Sequence, residues 1–199
     1  MLRAFDLIIA ISALVFFAPI MTIVAIVVKL EDGGPILFGH KRVGEGGQSF
    51  KCLKFRSMRT NAAELLRNIL ETDPAARAEW DQDQKLRNDP RVTRVGDFIR
   101  RWSLDELPQL FNVVRGEMSI VGPRPIVEAE MVRYGRYIRN YTNVTPGITG
   151  MWQVFGRNDV SYEQRVIYDV FFSRRRSVAL YIKLLVMTIP AVLLKKGSY

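Results

Sequence analysis

The segment Arg100-Arg101-Trp102-Ser103-Leu104-Asp105-Glu106-Leu107-Pro108 sets two adjacent carboxylates, Asp105 and Glu106, just after a pair of arginines. A carboxylate can attack phosphorus as a nucleophile, and a neighbouring one can hold the divalent cation that neutralises phosphate charge. A competing reading needs no chemistry at all. Ser103-x-x-Glu106 matches a capping box, acids are favoured in a helix's first turn, and Pro108 suits an early helical position. The pattern alone leaves both readings open.

A second candidate is Arg124, held between Pro123 and Pro125. Flanking prolines restrict the backbone and present a guanidinium that has little entropy left to lose, which suits bidentate phosphate recognition. An ordinary turn exposing Arg124 fits the pattern as well. Lys54, Arg56 and Arg59 cluster after strand-like sequence. Thr145–Gly150 is a glycine-bounded loop whose amides could approach a ligand, and Arg157 and Asp159 follow it. Asp81-Gln82-Asp83 resembles the metal-binding D-x-D of many glycosyltransferases. It lies in a polar helical stretch with no adjoining strand and reads as solvated surface.

Composition narrows the chemistry. The 199 residues carry 29 Lys and Arg against 20 Asp and Glu, a net charge of +9, so an anionic partner is expected: nucleic acid, lipid headgroup or phosphorylated substrate. A single cysteine, Cys52, and a single histidine, His40, exclude an internal disulfide and a His/Cys zinc site built by one chain. Catalysis must be sought in carboxylates, arginines and lysines.

The elements that position these groups begin with Leu7 to Val28, almost uninterrupted apolar sequence bracketed by Asp6 and Lys29. As a straight helix it is about 33 Å long, enough to cross hydrocarbon. It lacks the pattern of a cleavable signal peptide. Pro19, near its middle, leaves the Val15 carbonyl without a helical donor. A kinked single span and a re-entrant hairpin bending at Ala18-Pro19 both fit. Basic residues on either side, Arg3 before and Lys29, Lys41, Arg42, Lys51, Lys54 and Arg56 after, suit a topology with both ends in the cytoplasm.

After a turn at Asp32–Pro35, Ile36–Phe38 and Phe50–Phe55 read as strands around a glycine-rich loop. Helices are expected over Asn61–Arg87, interrupted at Asp73-Pro74, then over Arg91–Arg101 and Leu107–Val114. Val178 to Leu194 is apolar and about 25 Å long as a helix, short for a span and suited to the interface or the core. Arg174-Arg175-Arg176 before it suits anionic headgroups or plain solvent.

Taken in order, "DLIIAISALVFFAPIM", "KRVGEGGQSFKCLKFRSMR", "DPRVTRVGDFIRRWSLDELPQLFNVVRGEMSIVGPRP" and "TPGITGMWQVFGRND" cover nearly the whole chain. The set strongly resembles the bacterial sugar transferase family, the monotopic phosphoglycosyl transferases. "SLDELPQL" followed by "VGPRP" is its most specific part. Within the family the chain looks most like undecaprenyl-phosphate galactose phosphotransferases that start exopolysaccharide or O-antigen synthesis.

The resemblance implies an α+β fold: a mostly helical small cytoplasmic domain with short strands, a re-entrant N-terminal membrane helix and interfacial amphipathic helices. It places the membrane hairpin at residues 1–30, broken at Pro19. The catalytic domain with an interfacial C-terminal helix is then 31–199, on the cytoplasmic face of the bacterial inner membrane. It implies Asp105 as nucleophile and Glu106 as the magnesium ligand. Arg124 holds phosphate, Lys54 and Arg56 line the cleft, and Arg157 is a further substrate contact. The implied partners are a UDP-sugar, undecaprenyl phosphate and membrane lipids, with no nucleic acid; a homodimer is compatible with this reading. Glucose competes with galactose as the sugar.

Two departures stand out. Ala18-Pro19 replaces the family's frequent Ser-Pro. Near the end, Asp169 is followed by Phe172, and Tyr181 takes a position that is usually acidic, so little weight falls on C-terminal substrate contacts.

Overall fold

The computed structural model describes residues 2–83, 86, 88–156 and 160–193. Among the described residues, ten α-helices and four short strands make it α+β, as expected. Helix α1 spans Leu2–Asp32 and is followed by β1, Leu37–Val43, and β2, Ser49–Phe55. Next come α2, Ala62–Thr72, α3, Pro74–Asp83, α4, Arg94–Arg101, and α5, Gln109–Arg115. Strands β3, Ser119–Val121, and β4, Gly147–Thr149, flank α6, Met131–Tyr134, and α7, Ile138–Thr142. The chain closes with α8, Met151–Phe155, α9, Tyr162–Arg175, and α10, Val178–Leu193.

Most expected elements are present, with one extension. Lys41, Arg42 and Val43, read as part of a glycine-rich loop, belong to β1, which pairs with β2. The loop proper is only Gly44–Gln48. The break between α2 and α3 falls at Asp73, whose Oδ1 accepts from the amides of Ala75 at 2.9 Å and Ala76 at 3.1 Å. Pro74 occupies the first helical position, where no amide donor is needed.

Helix α1 is assigned as helix through Pro19. Its length and composition suffice to cross a membrane. Ile8, Ile11, Val15, Phe16, Ile23 and Ile26 are all exposed, an uncovered apolar surface suited to hydrocarbon.

By contact the chain forms two compact units. One contains residues up to Ala18, 39–53 and 108 onward; the other contains 19–38 and 54–107. In the first, β3 and β4 pair in parallel with Ser119 opposite Gly147 and Val121 opposite Thr149. Buried Asp6 fastens α1 to this sheet and to α10. Its Oδ1 accepts from Ser119 Oγ at 2.8 Å, Ile120 N at 2.8 Å and Tyr181 Oη at 2.7 Å. Tyr181 is thus a helix anchor. Arg3, read as a topology charge, donates to the carbonyls of Val113 and Val114 at the end of α5, where a cation also meets the helix dipole. A separate core gathers Val43, Ile126, Tyr134, Tyr141 and Val166. There Tyr134 Oη donates to Asp169 Oδ2 at 2.7 Å, and burial raises that carboxyl to about 7.

In the second unit, Met58 and Val92 form an antiparallel bridge, and α4 lies against the chain leaving β2. Gly96 makes that approach possible. A Cβ there would stand 2.0 Å from the Ser57 carbonyl oxygen, so only glycine fits.

Candidate active site

Asp105 owes its position to how α4 ends. Thr93 caps the helix start, its Oγ1 accepting from Gly96 N at 2.8 Å, and Arg100 Nε donates to Ser57 Oγ at 2.8 Å. The last turn of α4 is therefore tied to the segment just after Lys54 and Arg56. The chain then passes through Ser103 at φ 54 and ψ 21, the left-handed region, and enters a 3-10 turn over Leu104–Glu106. Ser103 is the one non-glycine residue with positive φ among the described residues. That conformation costs about 1–2 kcal/mol, and such strain gathers at functional sites.

This geometry decides against the capping box. The Ser103 side chain makes no capping hydrogen bond, and the Glu106 carboxylate goes elsewhere. Lys54 Nζ donates to Glu106 Oε1 at 2.6 Å and stands 4.0 Å from Asp105 Oδ2. The short contact neutralises Glu106, while Asp105 keeps a cation within reach that does not directly block its oxygens. Asp105 is buried, at 8% exposure. Burial, the largest influence, lifts its carboxyl above the usual value; Lys54 and Arg100 pull it down and the adjoining Glu106 charge pushes it up. The result is a dehydrated carboxylate beside a fixed ammonium, an arrangement able to attack an electrophile drawn in by positive charge.

The other expected residues fall into three groups. Lys54 belongs to the pair just described. Arg56 gives its guanidinium to α1: to both carboxylate oxygens of Asp32 and, at 3.1 Å, to the Val28 carbonyl. It fastens the end of α1 to the end of β2, a different role from the cleft contact expected. Arg157 and Asp159 lie outside the described residues.

Arg124 belongs to the first unit, and there two sequence motifs prove to be one structure. Gly122 N donates to the Thr149 carbonyl at 2.8 Å and Gly147 N to the Pro123 carbonyl at 2.7 Å, joining "GPRP" to "TPGITG". A Cβ on Gly147 would lie 2.1 Å from Gly122 N, so the pairing requires glycine. Pro123 and Pro125 are buried while Arg124 between them is exposed. Arg42 Nη1 donates to the Pro125 carbonyl at 3.1 Å, bracing the same loop.

Asp81, part of the D-x-D look-alike, is exposed at the end of α3 and paired with Arg77 at 3.4 Å. It is solvated surface. Cys52 is buried in β2, closed to any role as a nucleophile.

Among the described residues no three His, Cys, Asp or Glu side chains gather as a metal cage. Magnesium commonly takes only one or two carboxylates and completes its shell with water and phosphate oxygens. The Asp105–Glu106 pair fits such an ion arriving with a diphosphate, once Lys54 yields part of its hold on Glu106.

Sequence reasoning missed one buried polar anchor in the first unit. Asn112 is wholly buried in α5: its Oδ1 accepts from Leu53 N at 2.9 Å, and its Nδ2 donates to the Lys51 carbonyl at 2.8 Å and to Glu117 at 2.6 Å. Its signal was a lone amide within the apolar run Leu110–Val114.

The sequence has clear relatives among known proteins. The profile of the bacterial sugar transferase family matches residues 1–195. The UDP-galactose-lipid carrier transferase of Erwinia amylovora is 54% identical over 197 residues, which is 99% of this chain and 41% of that protein. The undecaprenyl-phosphate galactose phosphotransferase of Salmonella typhimurium is 49% identical, again over 99% of this chain and 41% of that protein. The exopolysaccharide production protein ExoY of Sinorhizobium fredii is 50% identical, with 99% and 87% covered. The chain thus spans about two fifths of the first two relatives and most of the third. With the family profile matched almost end to end, this chain belongs to the bacterial sugar transferase family.

Proposed function

We propose that the chain transfers a hexose 1-phosphate, galactose 1-phosphate in first place, from a UDP-sugar to undecaprenyl phosphate. UMP is released, and the reaction begins exopolysaccharide or O-antigen synthesis. The observation that carries this reading is the buried Asp105 beside a Lys54 already held by Glu106. The names of the relatives support the substrate class.

In the first step an Asp105 oxygen attacks the sugar-bearing phosphorus. The bond to the bridging oxygen breaks, and UMP leaves with that oxygen. In the second an oxygen of the lipid phosphate attacks the same phosphorus and the Asp105 carboxylate is released. No general base is needed, because both attacking groups are already anions. Lys54 offsets charge at the acidic pair, and Arg124 grips phosphate with its planar fork. Glu106, with the diphosphate, would hold magnesium, which when bound neutralises charge on the phosphate oxygens.

The by-product tests the reaction class. Purified protein given radiolabelled UDP-galactose and undecaprenyl phosphate should release UMP and form a lipid that retains both sugar and labelled β-phosphate. Release of UDP instead would mean transfer of sugar without phosphate, and release of neither nucleotide from a panel of UDP-sugars would mean no transfer.

We further propose that α1 re-enters at Pro19 with both ends on the cytoplasmic side, supported by that proline and the basic flanks. Single cysteines replacing Leu2 or Glu31, in a chain lacking Cys52, should both resist an impermeant thiol reagent until cells are lysed. Labelling at position 2 in intact cells would establish a spanning helix.

A further inference from the structure

Trp152 is buried in α8, directly after the "TPGITG" loop, and carries two guanidinium groups. The Arg124 Cζ lies 5.8 Å from its ring centroid and the Arg165 Cζ 4.6 Å from it. Both distances fall within the range of cation–π attraction. The two charges are therefore no more than about 10 Å apart wherever they sit around the ring, within one Debye length at moderate salt. Arg42 adds a third charge. Its guanidinium donates to the Pro125 carbonyl and lies 3.7 Å from Glu130, and burial together with the charge of Arg124 holds its pKa below the usual value.

Like charges gathered at a buried ring repel, and the ring offsets only part of that cost. Two further atoms are unfinished. Arg165 Nε is buried with no hydrogen-bond partner, although a guanidinium N–H is a strong donor. Gln153 Oε1, one residue from Trp152, is a buried acceptor in the same condition, while its Nε2 is engaged with the Ile148 carbonyl at 3.1 Å. Buried polar atoms are ordinarily paired, and the unpaired Nε of a guanidinium that lies over Trp152 marks a place able to receive an acceptor. Asp169, one turn further along α9, is an opposite charge to Arg165 but leaves its Nε without a hydrogen bond; Asp169 Oδ2 accepts from Tyr134.

We propose that Arg165 is a substrate-binding residue: with Arg124 it forms a two-guanidinium clamp, seated on Trp152, for a phosphate-bearing ligand. The ligand is a phosphate ester or diphosphate, supplied either by the nucleotide sugar or by the lipid phosphate. Gln153 Oε1 then takes a hydroxyl or imide N–H of the same molecule. Trp152 keeps both side chains pre-oriented, so less rotamer freedom is lost on binding. The assignment rests on the phosphosugar-transfer reading but concerns binding alone.

The test therefore uses Asp105→Asn protein, which binds without turning over, and calorimetric titration with UDP, inorganic pyrophosphate and a short-chain polyprenyl phosphate in detergent. Adding Arg165→Gln should weaken at least one ligand about tenfold or more, and Arg165→Lys should weaken it less, since the charge survives and the fork does not. A loss confined to UDP and pyrophosphate assigns the clamp to the donor, and a loss confined to polyprenyl phosphate assigns it to the acceptor. Trp152, as the sole tryptophan after Trp80→Phe and Trp102→Phe, should change its fluorescence as the ligand binds. Unchanged affinity for every ligand in Arg165→Gln would leave Arg165 a packing residue and overturn the proposal. If Arg165→Gln does not fold, unchanged affinity in Arg165→Lys with a silent Trp152 does the same. Because no turnover is read, failure of the aspartyl route would leave these titrations intact, and failure of the clamp would leave UMP release intact.

Discussion

Asp105→Asn should remove both halves of the reaction at once. Unaltered protein mixed with labelled UDP-sugar, without lipid acceptor, should give one burst of UMP and retain label in a hydroxylamine-sensitive acyl phosphate. The variant should give neither, and steady-state turnover should fall about 1,000-fold or more, as expected when a nucleophile is removed. The carboxylate suits the role because it leaves readily when the lipid phosphate attacks. One site then serves a soluble donor and a membrane-bound acceptor in turn, with parallel double-reciprocal plots. Stability should not suffer. Burial opposes ionisation of Asp105, so the folded state carries a cost for its charge above the raised pKa that is absent below the ordinary carboxylate value. In metal-free protein near neutral pH, Asp105→Asn relieves that cost, and its Tm should equal or exceed that of the unaltered chain. Intersecting kinetic lines and no trapped label on the unaltered enzyme would mean direct transfer through a ternary complex.

Asn112→Ala should have the largest effect on folding. The side chain satisfies the Leu53 amide, the Lys51 carbonyl and the Glu117 carboxylate from a fully buried position. Truncation strands these groups and leaves a void, a loss of about 3 kcal/mol, or about 10 °C in Tm for a chain of this size. Asn112→Asp should be worse still, because it sets a second carboxylate against Glu117 and removes the donor to Lys51. The measurement is thermal or denaturant unfolding in detergent. An unchanged Tm for Asn112→Ala would mean that water replaces the amide at little cost.

The two effects differ in how far they could be foreseen. The acidic pair, the proline-flanked arginine and the long apolar segment were legible because each is a local pattern: neighbouring residue types, a restricted backbone, a run of one polarity. The break at Asp73-Pro74 was legible for the same reason, since a capping aspartate with proline at the first helical position acts within a few residues.

The sequence by itself determined that the protein is basic, carries a membrane-length apolar segment, and has a single cysteine and a single histidine. Only the tertiary structure excluded the capping box at Ser103–Glu106. The capping box and the acidic turn share the same residue spacing, and what separates them is a left-handed Ser103 and a lysine 52 residues away in sequence that takes the Glu106 carboxylate. The tertiary structure likewise turned Arg56 into an anchor for α1, joined "GPRP" to "TPGITG" through glycines, and set both Arg165 and Arg124 against Trp152. A charge reads the same in a sequence whether it faces solvent, substrate or another helix. Its partner is chosen by elements distant along the chain, and that choice exists only once they have packed.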